Sequence, residues 1–112
     1  MFEEALAAIR RDFADEDLSL ARVARSIATS RRQLQRVFAE RDTSFRKELQ
    51  RVRMTRAAEL LRDGGLPVAT VARAVGYRQP AQFSKAFRRH HGYPPSVERR
   101  SRGPSRLSRL AA

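Results

Sequence analysis

The sequence predicts an all-α protein of about seven helices, in which one two-helix unit occurs twice, on either side of a long helix. Three observations carry this. Apolar residues recur at helical spacings of three and four along most of the chain. No run alternates apolar and polar residues as a half-buried strand would, and no Asn-Gly hairpin signal occurs. The stretch Leu20 to Ala28 returns as Val68 to Gly76, an offset of 48, with Ala21/Ala69, Val23/Val71, Ala24/Ala72 and Arg25/Arg73 identical.

Each element follows from local chemistry. Phe2, Leu6, Ile9 and Phe13 form one apolar stripe and predict a first helix, broken by Asp15-Glu16-Asp17. Ser19 is a suitable N-cap for a short second helix lined by Leu20, Val23, Ala24 and Ile27. Ala28-Thr29-Ser30 is a turn. Ser30 and Gln33 fit a capping box that opens a third helix with Leu34, Val37 and Phe38 inside. Arg41-Asp42-Thr43 closes it. Ser44 caps a long fourth helix that buries Phe45, Leu49, Val52, Ala57, Leu60 and Leu61 and stops at Gly64-Gly65. Val68, Val71, Ala72 and Val75 line a fifth helix, and Gly76-Tyr77-Arg78 turns the chain. Gln79 is the expected cap of a sixth helix with Pro80 in its first position, where proline forfeits no hydrogen bond. Phe83, Ala86, Phe87 and His90 form its expected inner face, and Gly92 stops it. Pro94-Pro95 opens a last short helix near 96–100; the tail, 101–112, shows no sustained period and is expected to be mobile.

The second-helix residues also repeat, Leu34 with Phe83 and Phe38 with Phe87, at an offset of 49. A short helix, a tight turn and a capped second helix are the sequence form of a helix-turn-helix. The small Ala24 and Ala72 allow close helix crossing, and the small Ala28 and Gly76 let the chain reverse. The expected organisation is therefore two helix-turn-helix subdomains joined by a long linker helix. Residues 1–43 form the first helix and first subdomain, 44–63 the linker, 64–100 the second subdomain and final helix, and 101–112 the basic tail.

Charge narrows the function. The 112 residues carry 24 Lys and Arg, 22 of them Arg, against 12 Asp and Glu. Residues 1–17 have a net charge of −4 and the remainder +16. So asymmetric a basic body points to a polyanion, and two copies of the unit point to nucleic acid. Cysteine is absent, which excludes a disulfide framework and a Cys-based zinc site. His90 and His91 are adjacent and point about 100° apart on a helix, too far to share a metal or catalytic face. The acidic run 15–17 is read as a helix break, and Gly64-Gly65 lacks the strand, Lys and Ser/Thr of a phosphate-binding loop. No enzyme, cofactor or metal is expected. With no long apolar run and an acidic start, the expectation is a cytoplasmic, nucleoid-associated bacterial protein with no membrane contact.

At this resolution the sequence resembles the DNA-binding domain of the AraC/XylS family. The resemblance rests on Ser30-x-x-x-Leu34-x-x-x-Phe38, Thr43-Ser44-Phe45 and Arg53-x-x-x-Ala57-x-x-Leu60-Leu61. It continues with Val71-Ala72-x-x-Val75-Gly76-Tyr77, Phe83-x-x-x-Phe87 and Gly92-Tyr93-Pro94-Pro95-Ser96, covering residues 18–100. Ala28 and Asp42 stand where the family often has glycine, and Glu98 where it often has an aromatic. The resemblance implies a double-stranded DNA-binding transcription regulator, often an activator. At 112 residues the expectation is a chain similar to the stand-alone, MarA/SoxS-type members, without a sensor domain.

With Leu34, Val37 and Phe38 inside, the third helix presents Arg31, Arg32, Gln35 and Arg36 outward; the sixth presents Ala81, Gln82, Ser84, Lys85 and Arg89. Arginine can bond guanine O6 and N7 together, and glutamine the corresponding edge of adenine. The resemblance then implies that Arg32, Gln35, Arg36, Gln82 and Lys85 read bases. Ser30, Arg31, Arg78, Gln79, Ser84, Arg88 and Arg89 would lie nearer phosphates. Two different reading faces imply an asymmetric site of about 20 base pairs bound by a monomer. The acidic first helix would face away from DNA and is a candidate contact for RNA polymerase; the Arg-rich tail would add affinity without reading sequence. Two other readings stay open: an adaptor on RNA polymerase, and a nonspecific nucleoid or RNA-binding protein.

Overall fold

The structure, a computed structural model, describes residues 1–99. Six helices run α1 (Phe2–Asp12), α2 (Leu20–Ser26), α3 (Arg31–Glu40), α4 (Phe45–Asp63), α5 (Val68–Ala74) and α6 (Pro80–His91). A seventh, α7, covers residues 95–99, and no strand occurs among the described residues. The all-α class is as expected; Arg100 and the expected mobile tail at 101–112 lie outside the described residues.

Three serines start helices as the sequence suggests. The Oγ atoms of Ser19, Ser30 and Ser44 accept from the amides of Arg22, Gln33 and Lys47 at 3.2, 3.1 and 3.1 Å. Gln79 differs from expectation. It occupies the N-cap position of α6, but its side chain makes no capping bond. Its amide sits one methylene farther out than that of Asn, and short side chains reach the first-turn amides best.

The repeat is visible in the backbone. α2 and α5 have seven residues each, and each is followed by a left-handed residue, Ala28 at φ 56° and Gly76 at φ 95°. The amides of Thr29 and Tyr77 then donate to the carbonyls of Ala24 and Ala72, both at 2.9 Å. Asp42 is also left-handed, at φ 56°.

The interior is divided. One cluster holds Leu6, Ile9, Val23, Leu34, Phe38 and Leu49; the other holds Met54, Ala57, Leu61, Val71, Val75, Phe83 and Phe87. Helix α4 serves both. Its first half buries Glu48 and Leu49 and half-buries Phe45 and Val52; its second half buries Met54, Ala57, Ala58 and Leu61. At about 100° per residue these two sets centre on roughly opposite sides of the helix. The sequence reading placed Phe45, Val52 and Leu60 on one buried face, but each is only half-buried.

Arg53 lies where the clusters meet and is 9% exposed. Its Nε donates to the carbonyl of Phe13 and its Nη2 to that of Asp15, both at 2.9 Å. Phe13 packs against both clusters. A Cβ at Gly76 would lie 2.7 Å from the Phe13 carbonyl oxygen and 2.8 Å from Arg53 Nη2. Glycine is therefore required here for close approach as well as for backbone conformation.

Candidate nucleic-acid interface

Helix α3 buries Leu34 and Phe38 and exposes Arg31, Arg32, Gln35 and Arg36. Arg32, Gln35, Arg36 and Ala39 fall at i, i+3, i+4 and i+7, which is one helix face. Helix α6 buries Phe83 and Phe87, exposes Gln82, Lys85, Arg88 and Arg89, and half-buries Ser84. Gln82, Lys85 and Arg89 likewise share a face. Ser30 and Gln79 are exposed at the two helix starts.

The inner face of α6 needs one correction. His90 is exposed and His91 is half-buried. The His91 ring lies 4.3 Å from that of Phe87, and its Nε2 is 3.1 Å from the carbonyl oxygen of Met54. The row runs 83, 87, 91 at successive i+4 steps, so residue 91 and not residue 90 continues it. The two histidine rings touch edge to face at 4.7 Å. Burial, with His91 and Arg51 nearby, holds His90 below the ordinary imidazole range. Among the described residues no three His, Cys, Asp or Glu side chains gather as a metal site, and no helix is long and apolar enough to cross a membrane.

The candidate cations differ in their partners. Arg31, Arg32, Arg36, Lys85, Arg88 and Arg89 make no ion pair with a described residue. Arg78 does: its Nε lies 2.8 Å from Glu16 and its Nη2 2.7 Å from Asp17. Asp15 is held by the Asp17 amide at 2.9 Å and by Arg22 at 2.8 Å. The acidic run thus joins the turn of the second unit to the loop that opens the first.

Two grooves connect the outward faces. Gln35 and Ala39 of α3 line one groove together with Ser44 and Arg46. Ser44 and Arg46 also line the next, with Lys47, Arg51, Arg89 and His90. The outer faces of α3 and α6 therefore border one surface that passes over the start of α4. Sequence reasoning treated α4 as a spacer and missed Arg46, Lys47 and Arg51. The available signal was three bases within six residues, directly after a helix cap.

Glu98, which stands where an aromatic is common, is 8% exposed and accepts from the Tyr93 hydroxyl at 2.7 Å. Arg62 Nε approaches it at 3.7 Å. A carboxylate is tolerated there because it is bonded and paired.

Comparison with known proteins agrees with this geometry. The family described as helix-turn-helix domain matches residues 23–101. An HTH-type transcriptional regulator of Mycobacterium tuberculosis is 46% identical over 65 residues, 58% of this chain and 19% of that protein. The HTH-type transcriptional regulator GlxA of Rhizobium meliloti is 34% identical over 90 residues, 80% of this chain and 28% of that protein. The chain thus spans under a third of the length of these curated relatives. Among solved structures, the C-terminal domain of AraT, a response regulator from Geobacillus stearothermophilus, superposes with a TM-score of 0.84 at 37% identity, covering 89% of this chain and 84% of that one. The chain belongs to the AraC-type helix-turn-helix family, the DNA-binding module of transcriptional regulators.

Proposed function

We propose that the chain binds double-stranded DNA at defined promoter sites, as a monomer, with α3 and α6 in successive major-groove segments of an asymmetric site of about 20 base pairs. The supporting observation is the pair of outward faces, Arg32/Gln35/Arg36 and Gln82/Lys85/Arg89, exposed and without ion pairs among the described residues. Arg32, Gln35, Arg36, Gln82 and Lys85 read base edges. Ser30, Arg31, Gln79, Ser84, Arg88 and Arg89 position the backbone, and Arg78 joins them by exchanging carboxylates for phosphate. The 19-residue α4 is about 28 Å long, against about 34 Å between successive major-groove faces of straight duplex. Binding through both helices therefore bends the DNA. Activation is the mode the family resemblance favours, with the exposed Glu3 and Glu4 of α1 offered to RNA polymerase.

Selection of bound sequences from a random duplex pool tests the reading. An asymmetric consensus should emerge, and sedimentation should find one chain per duplex. Arg36→Ala and Lys85→Ala should each cost about 1–3 kcal/mol on the consensus while leaving scrambled duplex largely unaffected. Uniform weakening on both duplexes would instead mark a nonspecific binder. Unchanged DNA binding with intact polymerase association would mark an adaptor.

A further inference from the structure

The groove between the first two turns of α4 and the last turn of α6 carries none of the candidate base-reading residues, yet cations dominate its lining. It encloses about 690 Å³, and Ser44, Arg46, Lys47, Arg51, Arg89 and His90 line it. Among the described residues no carboxylate lines it. The acid nearest in sequence, Glu48, is 7% exposed and already accepts from Thr43 Oγ1 at 2.6 Å. Arg51 stands 3.6 Å from Glu48, whereas Arg46, Lys47 and Arg89 make no ion pair with a described residue. Unneutralised cations lining a concave surface concentrate a polyanion there.

Its position says which polyanion. Ser44 and Arg46 are shared with the groove that carries Gln35, while Arg89 lies on the α6 face of Gln82 and Lys85. A duplex engaged at both reading faces must carry its backbone across the place between them. We infer that this groove is a phosphodiester cradle, in which Arg46, Lys47 and Arg89 grip the strand segment spanning the minor groove between the two major-groove contacts. The inference rests on the proposed DNA-binding reading and adds a third contact region to it. α4 is then a clamp as well as a spacer. Because the cradle touches no base edge, it contributes affinity and bend without direct base readout.

The test uses the whole chain, its selected duplex and a scrambled duplex. The double variant Arg46→Ala/Lys47→Ala removes two exposed side chains without ion pairs, so the fold should be retained, as circular dichroism would check. Affinity should fall about tenfold or more on both duplexes alike, and the slope of log K against log salt should become shallower by about 2. Neutral methylphosphonates placed singly along the duplex should weaken wild-type binding at one or two central positions. The variant should be insensitive at those same positions, a coupling that a general loss of charge would not produce. A variant with unchanged affinity and salt slope, while Arg36→Ala still destroys selection, overturns the cradle and leaves the DNA-binding reading standing. Wild-type chain that enriches no duplex overturns both. Methylphosphonate sensitivity shared equally by wild type and variant also overturns the cradle.

Discussion

Ala28 and Gly76 occupy the same place in the repeat, and substitutions there should shift stability in opposite directions. Ala28 is exposed and left-handed, a conformation its Cβ resists. Ala28→Gly should stabilise the fold by about 0.5–1 kcal/mol, the relief of strain exceeding the added chain entropy. At Gly76 the new Cβ would meet a carbonyl oxygen and a guanidinium at under 3 Å. Gly76→Ala should cost about 2–4 kcal/mol in urea denaturation, from strain and overpacking together. The need for small turn residues was legible in the sequence from the repeat alone. The reason that one copy tolerates alanine was not, because the obstacle at Gly76 comes from Phe13 and Arg53, distant in sequence. The histidine assignment failed for a related cause. Positions 90 and 91 both lie within one step of the 83–87 row, and only packing against Met54 on α4 decides between them.

At the level of elements, helix boundaries followed closely from serine caps and glycine stops, since those depend on residues within one turn. The interior of α4 did not. Its buried side changes between its two halves, so no single stripe runs along it, and a one-face reading misassigns Val52 and overlooks Met54 and Ala58. The α1–α2 loop makes a pH-dependent contribution. The Asp17 amide, with Arg22 assisting, holds the Asp15 carboxyl below the ordinary carboxylate range. A carboxyl depressed in the folded state stabilises the fold above its unfolded value, about 3.9, and loses that effect as pH falls through the lower folded value. The Asp17 amide resonance should therefore titrate with a midpoint below about 3.9. In Asp15→Asn that titration should vanish, and a midpoint at or above the ordinary value would remove this account of the loop.

Across the whole molecule, the two helix-turn-helix units are joined by a few long-range contacts. Arg53 binds the Phe13 and Asp15 carbonyls, while Glu16 and Asp17 grip Arg78. Arg53→Met would leave the half-buried Phe13 carbonyl without its side-chain donor and the Asp15 carbonyl with the Leu18 amide alone, at a cost of about 1–3 kcal/mol in unfolding free energy. On the proposed two-helix reading it should also weaken binding to a complete site more than to either half-site, since it loosens the angle between the units; equal weakening would contradict a coupling role. The two-unit architecture was readable from the offset of 48. The coupling was not, because Arg53 enters the sequence only as a motif position, and its partners, the Phe13 and Asp15 carbonyls, lie 40 and 38 residues away.

The divided interior has an evolutionary corollary. Phe13 is the one described hydrophobic side chain that packs against both clusters, so a change confined to the outer face of one reading helix leaves the other cluster's packing in place. On the proposed reading, each half of a DNA site can then drift under selection while the opposite half stays fixed. The same reading predicts that substitutions on the outer faces of α3 and of α6 sum in binding free energy to within about 0.5 kcal/mol.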